Sequence, residues 1–579
     1  MKTVRIGLAQ INSTVGDLTG NADKILTAIE NAKALDIDVI AFPEMVMTGY
    51  PPEDLLLNPH FIEDNLKSIQ KVAKDVVDIT AIVGFVDSNG DIFNAAAIIH
   101  NRKIIGVYRK MYLPNYGVFD EERYFCAGKK PFIMELSGIR IGISICEDIW
   151  YPEGPALAEA LKGAEVIINI NASPFHTGKW RYREKMLATR ASDIRVIVAY
   201  VNMVGGQDEL VFDGHSVIFD EKGDVIARGK SFEEDLIVTD LNVEAVFRGR
   251  LHDPRRRKDV VKEYKDRDVE EVRLEISKKK RLKSRLPDRE ILPPEPLQEI
   301  YKALVIGTND YLGKNGFNKA VIGLSGGIDS ALTCTIAVDA LGKDNVIGVF
   351  MPSPFTSEES EEDAKELAAN LGIELIDIPI KESFESYLRC LPKNFSKSNP
   401  NEAEENLQAR TRGNILMAMS NKFGWLVLTT GNKSETSVGY TTLYGDTAGG
   451  FAVIKDVPKT LVYGLVKYRN SQSNSILVPE RIITKEPTAE LRLGQKDSDS
   501  LPPYEILDPI LKMYVEEDRD VEEIAAKGFD EETVRQVIRM VDMSEYKRRQ
   551  APPGIKITPR AFGKDRRMPI TNKYEGYFS

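Results

Sequence analysis

The sequence predicts an α/β protein with two domains. Short apolar runs typical of strands alternate with runs of helical spacing along most of the chain, which is the pattern of a layered α/β fold. The 579 residues also exceed what a single hydrophobic core usually serves. A charged, proline-ended stretch interrupts the alternation near the middle of the chain, so we expect one domain on either side of it.

The N-terminal half contains five short strand-like runs. The run at residues 4–9 is followed by apolar residues at helical spacing between Ile25 and Leu35. Glu44 lies just beyond the run at residues 39–42, and Cys146 directly follows the run at residues 141–145. The remaining runs are at residues 166–170 and 196–201.

The stretch from residue 248 to residue 296 has a different composition. It carries the basic runs RRRK and KKKR, interleaved acids, a strand-like VRLEI and a series of prolines. We interpret it as a charged linker with one docked strand. The alternative is a basic nucleic-acid surface, which the net charge of −11 disfavours. The predicted domains are residues 1–250 and 295–579, with the linker at residues 251–294.

After the prolines, strands and helices alternate regularly. Predicted strands are at residues 320–324, 346–350, 373–378 and 425–429, and predicted helices at residues 331–341, 358–371 and 402–423. This alternation predicts a parallel sheet with helices on both faces. The basic, proline-rich tail from Glu545 is expected to wrap over another surface rather than to form its own core.

Composition excludes several classes of protein. The four cysteines show no C-x-x-C spacing, so neither a zinc site nor a disulfide scaffold is expected. The N-terminus lacks the apolar core of a signal peptide, and no apolar run is long enough to span a bilayer. We therefore expect a cytoplasmic protein that binds neither membranes nor nucleic acids.

Three phrases of the N-terminal half carry reactive residues: FPE with Glu44, YRKMYLP with Lys110 and ISICED with Cys146. A cysteine that attacks an amide needs a base, which a carboxylate with a raised pKa can supply. An ammonium near the reacting carbonyl stabilises the oxyanion. Each residue alone is more simply explained as core or surface, but together they suffice for amide hydrolysis through a thioester.

These three blocks, in this order, resemble the nitrilase superfamily. The resemblance implies an αββα sandwich in which Cys146 is the nucleophile, Glu44 the general base and Lys110 the oxyanion-stabilising residue. The form LPNYGVFDE resembles the glutaminase domains of NAD synthetases, which implies a glutamine site. An additional nitrilase glutamate is either Glu121 or Glu122, and the sequence leaves that choice open. The residues implied to line the glutamine site are Tyr116, Ser173 and Lys179.

The second half contains the glycine-rich phrase GLSGGIDS, which follows a strand and opens a helix. Such a turn lets backbone N–H groups approach phosphate oxygens, although it is not a Walker A loop. Asp329 is a natural Mg²⁺ ligand, because this ion prefers carboxylates together with phosphate oxygens. SGGxDS resembles the pyrophosphate loop of the ATP pyrophosphatases, which implies ATP binding and a Rossmann-like parallel sheet. The loop residues are Gly323, Leu324, Ser325, Gly326, Gly327, Ile328, Asp329 and Ser330.

Further ATP and dinucleotide residues are implied by a resemblance to NAD synthetases. Thr430 and Lys459 would contact ATP, and Glu435 would contact deamido-NAD and share the metal with Asp329. Asn406 and Lys547 would also contact deamido-NAD. One residue is predicted from its own chemistry: a guanidinium on the same helix face as Asn406 suits a carboxylate or phosphate, and this is Arg410. Lys455 is predicted to be a surface charge.

The combined resemblance implies one reaction: ATP-dependent amidation of deamido-NAD with ammonia released from glutamine and kept in a protected tunnel. It also implies a homo-oligomer that dimerises through the second domain. Two alternatives are kept. One is an amidotransferase with the same mechanism and another acceptor, and the other is a non-catalytic protein that senses a dinucleotide.

Overall fold

The computed structural model describes residues 2–253, 268–274, 283–287, 289–392 and 401–574. The chain forms two compact units, Met1–Gln207 with Val211–Pro294, and Asp208–Leu210 with Glu295–Ser579. Within the described residues, no helix is both long enough and apolar enough to cross a membrane. The basic runs RRRK and KKKR of the predicted linker lie outside the described residues.

The first unit is built on two mixed sheets. One has the strand order β14-β1-β2-β3-β4-β5, and the other has the order β13-β12-β9-β8-β7-β6-β15. Two further strands, β10 and β11, pair with each other. The strands are Thr3–Gln10 (β1), Val39–Ala41 (β2), Thr80–Ser88 (β3), Ile92–His100 (β4), Lys103–Arg109 (β5), Phe132–Leu136 (β6), Ile139–Ile145 (β7), Val166–Asn171 (β8), Ile197–Asn202 (β9), Val204–Gln207 (β10), Leu210–Asp213 (β11), Val217–Phe219 (β12), Val225–Arg228 (β13), Asp235–Asn242 (β14) and Glu270–Leu274 (β15).

The two large sheets pack face to face, because alternate residues of their strands share one core. In β1, Ile6 and Leu8 belong to a cluster that also contains Ile143 of β7 and Ile168 of β8. Residues of opposite parity, such as Ala9, face a second cluster beneath the outer helices. The period-two alternation of a strand produces this division into an inner and an outer face.

Helices cover the outer face of each sheet, which completes the αββα sandwich. Leu18–Ala34 and Pro59–Asp75 pack on the first sheet, and Pro155–Leu161 and Lys179–Ile194 pack on the second. Val243–His252 follows β14. The strand predicted inside the linker is present as β15, which pairs in parallel with β6. Short 3₁₀ turns are Glu53–Leu57, Glu121–Arg123 and Cys146–Ile149.

The second unit contains one five-stranded sheet in the order β18-β17-β16-β19-β20, and every pair in it is parallel. Its strands are Ala320–Leu324 (β16), Val346–Phe350 (β17), Glu374–Asp377 (β18), Leu426–Thr429 (β19) and Phe451–Ala452 (β20). The chain winds outward from β16 in one direction and then returns to its other side with β19. In such sheets, ligands bind at the carboxyl ends of the strands where the order reverses.

Helices of the second unit include those predicted from the sequence, with small shifts at their ends. They are Pro296–Lys314, Ile328–Leu341, Glu358–Leu371, Lys381–Cys390, Glu402–Phe423, Lys433–Val438, Lys459–Ser471, Glu480–Thr484, Tyr504–Leu511, Val521–Ala525, Glu531–Met543 and Glu545–Arg548. Short turns of other helical types are Lys343–Asn345, Lys512–Glu516 and Asp497–Asp499. The tail beyond Glu545 packs on this unit, since Ile555 and Ile557 are fully buried.

Candidate functional site

The first unit places Cys146 at a strained turn directly after β7. Cys146 has a φ of 42° and begins the 3₁₀ turn Cys146–Ile149. Only a few per cent of non-glycine residues adopt this backbone region, and it costs about 1–3 kcal/mol. Its thiol is buried in the core between the two sheets. Backbone strain of this kind clusters at active sites, so the φ of Cys146 supports a functional role for this residue.

Lys110 follows β5 and lies between two carboxylates. Its Nζ donates to Glu44 Oε1 at 2.7 Å and to Glu121 Oε1 at 2.8 Å. The side chains of Lys110 and Glu44 are fully buried, and that of Glu121 is 5% exposed. Asn94 Nδ2 also donates to Glu44 Oε1, at 2.7 Å, and the backbone N–H of Ala172 donates to Glu44 Oε2 at 2.9 Å.

The structure separates the two glutamates between which the sequence could not choose. Glu121 joins the buried cluster with Lys110 and Glu44. Glu122 is exposed, and its carboxylate accepts a 3.4 Å hydrogen bond from Asn115. The additional glutamate of this cluster is therefore Glu121.

The charges of the cluster explain its proton chemistry. Burial raises the pKa of the Cys146 thiol well above its ordinary value, the charge of Glu44 adds to that rise, and the Lys110 ammonium opposes it. Burial also raises the pKa of Glu121 to about 7, against the opposing effect of Lys110. Burial alone lowers the pKa of Lys110, but the neighbouring carboxylates more than compensate. The resting thiol is therefore protonated, beside carboxylates that can accept its proton and an ammonium that can stabilise an oxyanion.

Polar side chains gather near Cys146 at a more open position. Tyr116 is 58% exposed, and its hydroxyl donates to Glu147 Oε2 at 2.9 Å. Burial raises the pKa of Glu147, and the hydrogen bond from Tyr116 and the charges of Lys110 and Lys179 oppose that rise. Ser173 is buried, and its N–H donates to Asn202 Oδ1 at 2.8 Å. Sequence reasoning missed Glu147, although it is the central residue of the CED phrase.

The second unit has a cavity of 310 Å³ at the carboxyl ends of β16 and β19. All eight residues of the Gly323–Ser330 loop line it, as do Thr430, Glu435 and Lys459. Gly326 has a φ of 77°, and a Cβ atom there would lie 2.5 Å from the Ser360 carbonyl oxygen. Only glycine fits at this position without displacing backbone.

Lys459 joins the two carboxylates that were predicted to bind the metal. Its Nζ forms an ion pair with Asp329 and donates to Glu435 Oε1 at 3.3 Å. Asn432 Nδ2 donates to Asp329 Oδ1 at 2.9 Å. Burial raises the pKa of Glu435 to about 8, which Lys459 opposes and Asp329 assists. Among the residues that the structure describes, no cluster of three or more metal-binding side chains occurs.

The prediction that Lys455 is a surface charge is wrong. Lys455 is half-buried, lines the cavity and donates to the Pro552 carbonyl oxygen at 2.6 Å. Two further basic residues of the cavity were missed, Arg412 and Lys485. Burial lowers the pKa of Lys455, and it lowers that of Arg412 to about 10. Three basic side chains that the sequence did not assign to the cavity therefore line it, namely Arg412, Lys455 and Lys485.

Three predicted dinucleotide residues do not line this cavity but meet at one neighbouring segment, residues 439–443. Asn406 Oδ1 accepts from Thr442 Oγ1 at 2.6 Å. Arg410 Nε donates to the Leu443 carbonyl oxygen at 3.1 Å. Lys547 Nζ donates to the carbonyl oxygens of Gly439 and Thr441, at 2.7 and 3.0 Å. The segment is continuous with the cavity, since Thr441 lines it.

Comparison with known proteins gives matches along nearly the whole chain. The carbon-nitrogen hydrolase family matches residues 5–248, and the NAD synthase family matches residues 300–551. A glutamine-dependent NAD(+) synthetase of Thermotoga maritima is 52% identical, with 99% of this chain and 100% of that protein aligned. The corresponding protein of Aquifex aeolicus is 50% identical over 99% of this chain and 100% of its own length.

One solved structure also matches this chain over its whole length. It is the glutamine-dependent NAD+ synthetase of Acinetobacter baumannii in complex with adenosine diphosphate, which is 40% identical. The match covers 100% of this chain and 99% of that chain, with a TM-score of 0.74. Sequence and fold therefore agree over both units.

Proposed function

Because this chain belongs to the family of glutamine-dependent NAD(+) synthetases, we propose that its two units carry the two halves of one amidation. The protein is a ligase that converts deamido-NAD, ATP, glutamine and water into NAD, AMP, pyrophosphate and glutamate. The observation that supports the assignment of halves is that the predicted catalytic residues lie together in the first unit and three of the predicted ATP and metal contacts lie together in the second. The first group is Glu44, Lys110 and Cys146, and the second is Asp329, Glu435 and Lys459.

In the first unit, Cys146 Sγ attacks the side-chain amide carbon of glutamine while Glu44 takes the thiol proton. Lys110 Nζ stabilises the resulting oxyanion. Collapse of this intermediate expels ammonia, which receives its proton from Glu44, and leaves a thioester on Cys146. Water, deprotonated by Glu44, then attacks the thioester carbon; the C–S bond breaks, glutamate is released, and Glu44 returns its proton to the Cys146 sulfur. Glu121 holds Lys110 in place throughout, through two hydrogen bonds of 2.8 and 2.9 Å.

Recognition of glutamine requires partners for an ammonium and a carboxylate on the same carbon. Glu147 supplies a negative charge next to Cys146, and Tyr116 holds that carboxylate. Lys179 supplies the positive charge from the first turn of its helix. Ser173 supplies a polar side chain to the site, and its backbone N–H is held by Asn202 Oδ1.

In the second unit, the Gly323–Ser330 loop binds ATP phosphates through its backbone N–H groups, with Thr430 and Lys459 as further contacts. A nicotinate carboxylate oxygen attacks the α-phosphorus, and pyrophosphate leaves. Ammonia then attacks the carbonyl carbon of the adenylate, and AMP leaves. Asn406, Arg410, Glu435 and Lys547 are the proposed deamido-NAD contacts.

The residues of this site also fit Mg²⁺. Asp329 and Glu435 present carboxyl oxygens on either side of the Lys459 ammonium. Oxygen ligands of this kind, completed by phosphate oxygens, are what Mg²⁺ prefers. When bound, the ion neutralises charge on the phosphates. Asp329 and Glu435 are the residues that would hold it.

We further propose that the chain functions as a homo-oligomer, at least a dimer through the second unit. This proposal rests on the resemblance to NAD synthetases. Light scattering at micromolar protein concentration tests it directly: a mass of at least twice 64.8 kDa supports the proposal, and a mass of one chain contradicts it.

Isotope transfer tests the proposed function. The protein is incubated with deamido-NAD, ATP, Mg²⁺ and glutamine that carries ¹⁵N in its amide. We expect labelled NAD, with AMP and pyrophosphate formed in equal amounts. A control without deamido-NAD should release no pyrophosphate. If pyrophosphate forms only with a different carboxylate acceptor, the proposed acceptor is wrong.

A further inference from the structure

Asp148 is a fully buried carboxylate that accepts four hydrogen bonds. The Tyr108 hydroxyl donates to Oδ2 at 2.6 Å, and the backbone N–H of Ile145 donates to the same oxygen at 3.0 Å. The backbone N–H groups of Met111 and Tyr112 both donate to Oδ1, each at 3.0 Å. Both carboxylate oxygens are therefore occupied by donors from two separate parts of the chain.

These donors flank the two reactive residues of the first unit. Met111 and Tyr112 directly follow Lys110, and Ile145 directly precedes Cys146. One carboxylate thus joins the end of β5 to the end of β7. It also braces the turn at Cys146, whose φ of 42° needs support from the surrounding structure.

The hydrogen bonds to Asp148 stabilise its ionised form in a buried position. None of its four hydrogen-bond donors is a cation, and the Lys110 ammonium acts on it only through its charge. A second buried acid, Glu159, lies close enough for the charge of Asp148 to raise its pKa. Burial raises the pKa of Asp148 to about 6, and the bonds from Tyr108, Ile145 and Tyr112 oppose that rise. The donors therefore favour the ionised carboxylate. That carboxylate in turn holds the backbone after Lys110 and the backbone before Cys146.

We propose that Asp148 is a positioning residue for glutamine hydrolysis, which sets the separation between Cys146 Sγ and Lys110 Nζ by fixing the backbone next to each. This inference rests on the proposed function of the first unit. Asp148 acts through its neighbours and is not itself a catalytic residue. A purely structural role would instead affect only the amount of folded protein.

The test replaces Asp148 by asparagine, which has the same shape. The amide places an N–H donor opposite backbone N–H donors, so at least one of the braces is lost. We expect the kcat for glutamate release to fall about 100-fold, since a small misplacement of reacting groups has an effect of that order. The KM for glutamine should change little, and NAD formation driven by ammonium should remain.

Two matched variants complete the design. Tyr108→Phe removes one of the four hydrogen bonds and leaves the three backbone bonds, so kcat should fall less than in Asp148→Asn, about 10-fold. Glu159→Gln alters a neighbouring buried carboxyl group that bonds to neither turn, and it should leave kcat within about 2-fold of the parent. Thermal unfolding of each variant gives the folded fraction used to normalise kcat.

Each outcome decides the inference. A folded Asp148→Asn protein with the parent kcat overturns it, as does an equal loss of kcat in Glu159→Gln. If Asp148→Asn does not fold, Tyr108→Phe decides, and an unchanged kcat in that variant overturns the proposal. Cys146→Ala in the same assay separates this result from the proposed function: hydrolysis by that variant refutes the glutaminase mechanism itself.

Discussion

Replacing Glu44 by glutamine tests the proton chemistry of the first unit. Glu44 accepts from Lys110 Nζ and Asn94 Nδ2 through Oε1, both at 2.7 Å, and from the Ala172 N–H through Oε2 at 2.9 Å. A glutamine amide can keep its oxygen toward Lys110 and Asn94. Its NH₂ group then faces the Ala172 N–H, and two donors oppose each other in a fully buried position.

The size of the effect has two parts. Loss of a positioned general base removes about 10²–10⁴-fold of the rate. Leaving one buried donor without an acceptor destabilises the first unit by about 1–3 kcal/mol. We therefore expect glutamine-dependent NAD formation to fall at least 100-fold in Glu44→Gln, with a modest decrease in the unfolding temperature. NAD formation driven by ammonium should remain, because the second unit is unchanged.

The assay measures glutamate release and NAD formation side by side, with glutamine or ammonium as the nitrogen source. Glu122→Gln is the matched control, because the Glu122 carboxylate is exposed. It accepts a 3.4 Å hydrogen bond from Asn115 and is not part of the Lys110 cluster. The control should retain full activity. Glutamate release by Glu44→Gln at more than a tenth of the parental rate would refute the assignment of Glu44 as the base.

Substitutions at Gly326, Lys459 and Glu121 test the phosphate loop, the shared cation and the buried titrating acid. Gly326→Ala places a Cβ atom 2.5 Å from the Ser360 carbonyl oxygen, so NAD formation should fall at least 100-fold with either nitrogen source while glutamate release persists; full synthesis with ammonium would contradict this. Lys459→Met leaves Asp329 and Glu435 without their shared cation and should abolish pyrophosphate release, which a coupled pyrophosphate assay measures. Glu121, with a pKa raised from 4.5 to about 7, binds its proton more tightly in the folded protein, so its contribution to stability is lost as pH rises through that range. The parent should therefore lose stability between pH 5 and pH 8, whereas Glu121→Gln should not lose this contribution. The unfolding temperature of the variant minus that of the parent should increase over this range, and a constant difference would show that Glu121 does not titrate there.

The sequence predicted the strand ends that carry chemistry better than it predicted their surroundings. Glu44, Cys146 and the Gly323–Ser330 loop each follow an apolar run, and such runs end at the edge of a sheet where side chains meet. The strand inside the charged linker was also predicted, and it pairs with β6 as β15. The layering of the two sheets of the first unit came only from the family resemblance.

Other features could not be read from local sequence. Glu121 and Glu122 are adjacent, and only the packing of their turn buries one of them. Lys455 donates to the carbonyl oxygen of Pro552, a residue far along the chain, so its partial burial leaves no signal in the local sequence.

The helix Glu402–Phe423 shows the limit of periodicity most clearly. Its polar stripe through Asn406 and Arg410 suggested one functional face. The face that lines the cavity is another, with Ala409, Arg412, Gly413 and Leu416. Periodicity identifies faces, but the packing of the helix decides which face meets the cavity.

The most direct test of the account compares the parent with Cys146→Ala in NAD formation from deamido-NAD and ATP. We expect the variant to make no NAD from glutamine but to retain the parental rate with ammonium, because only the source of ammonia is lost. Full glutamine-driven synthesis by Cys146→Ala would contradict the division of the reaction between the two units.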